Sequence, residues 1–370
     1  MDRFLLAHAR ADTCRSVLDA CLGQLEAIPP EANLGFVYAT DACAGELGSM
    51  LRELKTHTGV AHWVGTVGMG ICASGQEYYD GPALAVLLGA FAPDSFRMLR
   101  SIEDASQPAL TQGRSHATDL QVAIVHGDPR NNRLPGLIES LPERLGNGYV
   151  VGGLTSSTSH YYQIADDITE GQLSGVVFDN KVAIVTGLSQ GCTPIGPVHE
   201  VSEAQRNIAV RIDDRPALDV FYEDIGEILA RDLRRVAGYI FAAFPVQGTD
   251  TGDYLVRNLV GIDPTQRLLA IGDHLQQGAP IMFCRRDGQS AVEDMQRMLE
   301  DVKSRVTGTV RGGVYFSCVG RGRSLFGDDS EELKFITAAL GDVPLVGFYA
   351  NGEISGQRLY GYTGVLTLFL

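Results

Sequence analysis

Gly35-Phe36-Val37-Tyr38-Ala39, followed by Glu46 to Lys55 with Leu47, Leu51 and Leu54, and then by Trp63-Val64-Gly65, is the stretch that decides the fold. The first run is continuously apolar and reads as a buried strand, the second has helical spacing, and the third opens another strand. Leu84 to Phe91 closes the group as a further strand, so the order is β-α-β-β. The same order returns with Val122-Ala-Ile-Val125, a helix around Leu137 to Leu145, Val150-Val-Gly152 and Gly175-Val-Val-Phe178. It returns again with Gly313-Val-Tyr-Phe316, Glu331 to Leu340, Leu345-Val-Gly347 and Gly364 to Phe369. In each copy Val-Gly follows the apolar start of the second strand, and a Gly/Ser/Thr-rich loop comes next.

Two copies carry a similar prelude, Phe4-Leu-Leu-Ala7 with the helix Cys14 to Leu25, and Ile281-Met-Phe-Cys284 with the helix Ala291 to Val306. Short antiparallel returns within a copy argue against a purely parallel sheet, which needs a crossover between every parallel pair. The expected fold is therefore α/β, with two domains built from repeated β-α-β-β units, mixed or antiparallel sheets, and helices on the outer faces. A boundary is expected near 225 to 245, where Pro245 to Asp253 supplies Gly, Thr and Asp.

Composition narrows the function. The 370 residues carry 45 acidic and 30 basic side chains, a formal net charge of −15, which opposes nucleic acid and anionic membrane as partners. No apolar run is long enough to span a bilayer, and Phe4-Leu5-Leu6-Ala7 is broken by His8 and Arg10, too short for a secretory leader, so the expected location is cytoplasmic. Cys14, Cys21, Cys43, Cys72, Cys192, Cys284 and Cys318 are odd in number with no CxxC spacing. They argue against a disulfide framework or a zinc site and read as small buried hydrophobes.

Gly191-Cys-Thr-Pro-Ile-Gly-Pro197 followed by Asp214-Arg-Pro-Ala-Leu218 resembles the end of the FIST N-terminal domain. Phe316-Ser-Cys318-Val-Gly320-Arg321-Gly322, Glu332-Leu333 and Val346 to Ile354 resemble the FIST C-terminal domain, and the likeness extends through Gly65-Thr66 and Tyr79-Asp80-Gly81. One departure is Gly352-Glu353-Ile354-Ser355-Gly356, where relatives often have Gly-Glu-Ile-Gly-Pro. The name stands for F-box and intracellular signal transduction. The resemblance implies an N-terminal domain over 1–225 and a C-terminal domain over 226–370. It also implies a bacterial sensory protein that binds small ligands such as amino acids. Some relatives bind haem and respond to nitric oxide. With no output domain in the chain, the signal would pass to a separate partner such as a histidine kinase or cyclase.

An amino-acid ligand needs a donor fork for its carboxylate and an anion for its ammonium, and Arg321 and Glu353 are the expected pair. The alternative is that these two simply form an ion pair between loops. Thr66, Ser156, Ser157 and His160, with Tyr349 and Asn351, lie in the matching loops of the three copies and would face a ligand if those loops converge. Otherwise the hydroxyls are turn chemistry. Cys318 sits beside Arg321 in the same motif. By population shift, a ligand touching loops of both domains would favour one relative orientation.

No cofactor is required on this reading. Haem is the alternative, with His8, His57, His62, His116, His126, His160, His199 and His274 as axial candidates and no spacing to choose among them. A cysteine-dependent enzyme using Cys318 or Cys192 is a second alternative, and a ligand-free scaffold a third. Against catalysis, Gly68-Met-Gly70 lacks the rest of a dinucleotide fingerprint and Gly320-Arg-Gly-Arg-Ser324 lacks the Walker lysine. Asp166-Asp167 reads as solvated carboxylates on opposite faces of a strand.

Overall fold

The computed structural model describes residues 1–102, 121–230, 236, 238–246 and 253–370. His116 and part of the expected boundary segment lie outside the described residues. The first copy runs β1 (Leu5–Arg10), α1 (Cys14–Gln24), β2 (Leu34–Thr40), α2 (Leu47–Thr58), β3 (His62–Gly68), β4 (Gly70–Ala73), β5 (Gln76–Tyr79) and β6 (Ala83–Gly89). The second runs β7 (Phe96–Ile102), β8 (Val122–Gly127), α3 (Leu134–Arg144), β9 (Tyr149–Leu154), β10 (Tyr162–Ala165), β11 (Asp167–Glu170) and β12 (Leu173–Phe178). After β13 (Ile184–Gln190) come β14 (Cys192–Gln205), β15 (Ile208–Ile212), β16 (Arg215–Pro216), α4 (Ala217–Ala230), β17 (Ile240–Pro245), β18 (Tyr254–Asp263), β19 (Leu268–Ile271) and β20 (Pro280–Arg286). The third copy follows with α5 (Gly288–Arg305), β21 (Gly312–Cys318), α6 (Glu331–Leu340), β22 (Leu345–Ala350), β23 (Glu353–Ser355), β24 (Arg358–Tyr360) and β25 (Thr363–Phe369).

The chain forms two compact units, residues 1–190 with 294–370, and residues 191–293. The expected boundary at 225/226 thus falls inside the second unit, within α4, where Gly226 breaks the helix with φ 74°.

Each copy holds a hairpin that the sequence pattern had shown only as a polar loop, because its strands are three or four residues long. That hairpin joins another copy's sheet. The three sheets run β1-β6-β2-β3-β10-β11, β7-β12-β8-β9-β23-β24 and β13-β25-β21-β22-β4-β5. The first copy's hairpin therefore completes the third sheet, the second's completes the first, and the third's completes the second. The closing strand runs antiparallel to the first strand while the second strand runs parallel to it, giving mixed sheets as expected. The order also corrects the prelude: the third-copy equivalent of β1 is β13, whereas Ile281–Cys284 belongs to β20 in the other unit. The helical half holds, since α5 buries Met295, Met298, Leu299 and Val302 with the core of the third sheet.

The inner faces of all three sheets share one core, including Phe36, Ile124 and Val314 from the three first strands. Outer faces are covered by α1 and α2, by α3, and by α5 and α6. With both faces buried, the first strands read as unbroken apolar runs rather than alternating ones. The recurrent Val-Gly has a steric cause. A Cβ on Gly65, Gly152 or Gly347 would lie 1.7, 1.9 or 1.7 Å from the carbonyl oxygen of Val37, Val125 or Tyr315 on the paired strand.

The second unit is a closed barrel. Strands β14-β20-β17-β18-β19-β15 pair antiparallel in sequence around the ring, and β14 pairs again with β15 to leave no open edge there. Leu218, Phe221 and Ile225 of α4 pack with Phe283 and Ile240 in its core.

One cysteine expectation is corrected: Cys14, at the start of α1, and Cys43 form a disulfide with Cα atoms 5.6 Å apart. Their 29-residue separation gave no sequence signal. Cys21, Cys72, Cys192, Cys284 and Cys318 are free and buried.

Candidate functional site

Within the first unit, the loops after the second strands of all three copies meet. Thr66, near the end of β3, places its hydroxyl 2.7 Å from that of Thr155 and donates to the Tyr162 carbonyl at 2.7 Å. The Met69 N–H donates to Ser156 Oγ at 2.9 Å, and Ser156 Oγ donates in turn to the Tyr349 carbonyl. The Asn351 N–H donates to the Leu154 carbonyl at 2.9 Å, and the Leu154 N–H to the Gly352 carbonyl at 2.8 Å. First loop is thus tied to second, and second to third. All three belong to one unit, so a ligand here would not bridge two domains as the sequence suggested.

The loop 155–160 wraps Asp41, which follows β2. Ser157 and Thr158 donate their hydroxyls to its carboxylate, Ser159 Oγ donates at 2.9 Å, and the Thr158 N–H at 3.2 Å. Partial burial pushes the Asp41 carboxyl up, but these donors outweigh it and hold it below its ordinary value. Ser157 is thus engaged in turn chemistry. His160 is exposed, its ring stacked on Tyr162 at 4.9 Å. Asn351 is also exposed, while Tyr349 is buried with its ring 5.0 Å from Tyr79.

Arg321 and Glu353 do not pair with each other. Arg321, only 1% exposed, donates from Nε to Glu332 Oε1 at 2.8 Å and from Nη2 to Ser189 Oγ at 3.3 Å, with its guanidinium 5.0 Å from the Phe326 ring centre. Glu332 also accepts from Tyr315 Oη at 2.7 Å, Ser317 Oγ at 2.9 Å and the Gly322 N–H at 2.9 Å. Burial alone would lower the Arg321 pKa, but Glu332 and Tyr315 reverse that and hold it charged. The partner missed in sequence was the first-turn glutamate of α6. Arg321 and Glu353 follow the first and second strands of the same copy, and pairing those two loops concealed the short return from Arg321 to Glu332.

Glu353 is fully buried on β23. Its Oε2 accepts from the Thr363 N–H at 3.1 Å and from Thr363 Oγ1 at 2.8 Å, while Oε1 has no partner. Burial pushes this carboxyl up to about 8 against the stabilising bonds from Thr363. The departure at Ser355-Gly356 keeps the hairpin intact: Ser355 Oγ lies 2.7 Å from Tyr149 Oη, and Gly356 takes φ 63°. Cys318 is 6% exposed, and burial followed by the nearby Glu353 pushes its thiol up, away from the thiolate a nucleophile needs.

The histidines differ in what their rings already hold. His199 stands between two carboxylates, Nδ1 2.6 Å from Asp213 and Nε2 2.9 Å from Asp224. His8 Nδ1 lies 2.6 Å from Tyr78 Oη, and His62 Nδ1 3.1 Å from Asp166. His126 is buried with Nε2 3.2 Å from Tyr38 Oη and Nδ1 without a partner. His57, His160 and His274 are exposed, where no apolar pocket would enclose a haem. Asp166 corrects the solvated reading: it is 6% exposed, takes φ 65° between β10 and β11, and accepts from Arg100 at 2.7 Å and from the Trp63 N–H at 3.2 Å. Among the described residues, no three His, Cys, Asp or Glu side chains are placed to hold a metal ion. No helix among them is long and apolar enough to cross a membrane.

These features define a two-domain α/β protein with an internal three-copy repeat and a polar loop cluster. The chain belongs to the FIST family: the FIST N domain matches residues 33–215 and the FIST C domain residues 217–356. The two matches meet inside the barrel unit. A Mycobacterium tuberculosis protein described as uncharacterized is 31% identical over 337 residues, 87% of each chain. A Mycobacterium bovis protein, also described as uncharacterized, is 30% identical over 352 residues, 91% of this chain and 89% of its own. FIST domains imply a sensory role in signal transduction.

Proposed function

We propose that this protein is a non-catalytic sensor that binds a small amino-acid-like molecule at the loop cluster and passes occupancy to a separate signalling protein such as a histidine kinase or cyclase. The observation that carries this reading is the meeting of three equivalent loops, joined through Thr66–Thr155, Met69–Ser156 and Asn351–Leu154. A ligand entering there must exchange those internal bonds for its own. Its binding would therefore alter the packing of all three copies at once, and it can shift the population only by its differential affinity for the rearranged state. The buried thiol of Cys318 supports a binding role over a nucleophilic one.

The test compares the native mass of the purified protein with its denatured mass, then measures melting with a panel of the twenty amino acids and haem. An amino-acid-sized mass, or saturable stabilisation lost in Ser156→Ala, supports the proposal. A haem-sized mass would replace it with a haem sensor, and an unmoved melting temperature across the panel would overturn ligand sensing. We further place its action in the cytoplasm. Fractionation of intact cells that recovers the protein outside the cytoplasmic fraction would overturn that placement.

A further inference from the structure

A second site lies away from the loop cluster, at the opposite end of β3. A groove of about 600 Å³ is lined there by His62, Phe96, Arg97, Met98 and Arg100, with Asp94 also on its wall. Its volume is within the range of small-molecule sites. His62 is the first residue of β3, and its ring meets Phe96 of β7 edge-on, with centroids 5.5 Å apart. The groove thus brings together the first sheet and an edge strand of the second.

What distinguishes the groove is the buried carboxylate behind it. Asp166 receives Arg100 Nη2 at 2.7 Å and lies 3.1 Å from His62 Nδ1, so one acid orients two of the lining side chains. Asp166 is itself fixed by the Trp63 N–H, and its carbonyl accepts from Lys55 Nζ at 2.5 Å. It is a non-glycine residue held at φ 65°. A buried acid that fixes a histidine by one nitrogen and an arginine by one edge is the arrangement that supports ligand-contacting groups from behind. Arg97 and Arg100 both line the groove, Arg97 Nη2 donating to Gln121 Oε1 at 3.0 Å and Arg100 Nη2 to Asp166, so the wall offers guanidinium donors to an anion.

We propose that this groove binds a small organic anion, a carboxylate or a phosphate monoester, with an aromatic or branched apolar body. Arg100 receives the anionic group on the edge that Asp166 leaves open, where planar guanidinium donors suit a carboxylate or phosphate. Phe96 and Met98 cover the body.

The experiment is thermal denaturation of the full chain titrated with benzoate, phenyl phosphate and, as the neutral counterpart, benzyl alcohol. Saturable stabilisation by benzoate alone assigns carboxylates, and by phenyl phosphate alone assigns phosphate monoesters. Either supports the site, provided benzyl alcohol has no such effect. Arg100→Gln weakens the response roughly tenfold or more, the loss expected for a hydrogen bond to a charged group. Arg100→Lys keeps the charge over Asp166 if the glutamine variant unfolds, and it weakens binding through loss of the two-point fork. Ser156→Ala leaves the response intact, which separates this site from the loop cluster. No response to either anion at millimolar concentration, an equal response to benzyl alcohol, or an undiminished response in the arginine variants overturns the proposal.

Discussion

Tyr38 and His126 hold the same position in the first strands of two copies, and the phenol oxygen lies 3.2 Å from imidazole Nε2 in the shared core. Phe316 is the third-copy counterpart, with ring centroids 6.1 Å from Tyr38 and 5.6 Å from His126. Phe348 stacks on Tyr38 at 5.5 Å. One polar pair therefore replaces part of an otherwise apolar cluster.

Burial lowers the His126 pKa from 6.5 to about 3. The unfolded chain takes up a proton below pH 6.5 and the folded chain does not until about pH 3, so this group costs stability progressively as pH falls through that window. The double variant Tyr38→Phe/His126→Phe removes both polar partners together, a change that can be nearly neutral at pH 7. Its urea midpoint should fall less than the wild type's on acidification. Parallel acid curves would contradict the assignment.

Glu353 acts in the opposite direction. Its carboxyl is raised from 4.5 to about 8, so its contribution is fully present below pH 4.5 and is lost as pH rises through about 8. Glu353→Gln keeps an acceptor for Thr363 without the charge. The variant should gain stability relative to wild type steadily across that range, and a pH-independent difference in denaturation midpoint would refute this.

Arg321→Met leaves the buried Glu332 without its cation, which costs about 3–5 kcal/mol. Fold stability, rather than ligand affinity alone, is therefore the property expected to fail. Adding Glu332→Leu should restore part of the loss, as an apolar pair of similar volume often does. Full stability of the single variant in urea would show that the ion pair does not support the fold.

Alanine at Gly65, Gly152 or Gly347 places a Cβ within 2 Å of a neighbouring carbonyl and should prevent soluble expression or cost several kcal/mol. Gly23, in helix α1, has nothing within 4 Å of such a Cβ. Gly23→Ala should stabilise by about 0.5–1 kcal/mol. Comparable behaviour of all four variants would remove the steric explanation for the repeated Val-Gly.

The repeat, its Val-Gly signature and its outer helices were legible because each is local: apolar spacing within ten or so residues reports a strand or a helix face. The hairpins were not, since β4 to β5 and β23 to β24 are too short for periodicity and their partners lie in other copies. The same limit hid Cys14–Cys43, the barrel closure of β14 on β15, and Asp166 under His62 and Arg100. Arg321 shows the boundary most clearly. Sequence alone determined that a glycine-flanked arginine follows the third copy's first strand. Only the tertiary structure decided that its charge meets Glu332, because a buried guanidinium is stable only beside the carboxylate that packing brings within hydrogen-bond reach, and α6 supplies that carboxylate at its first turn.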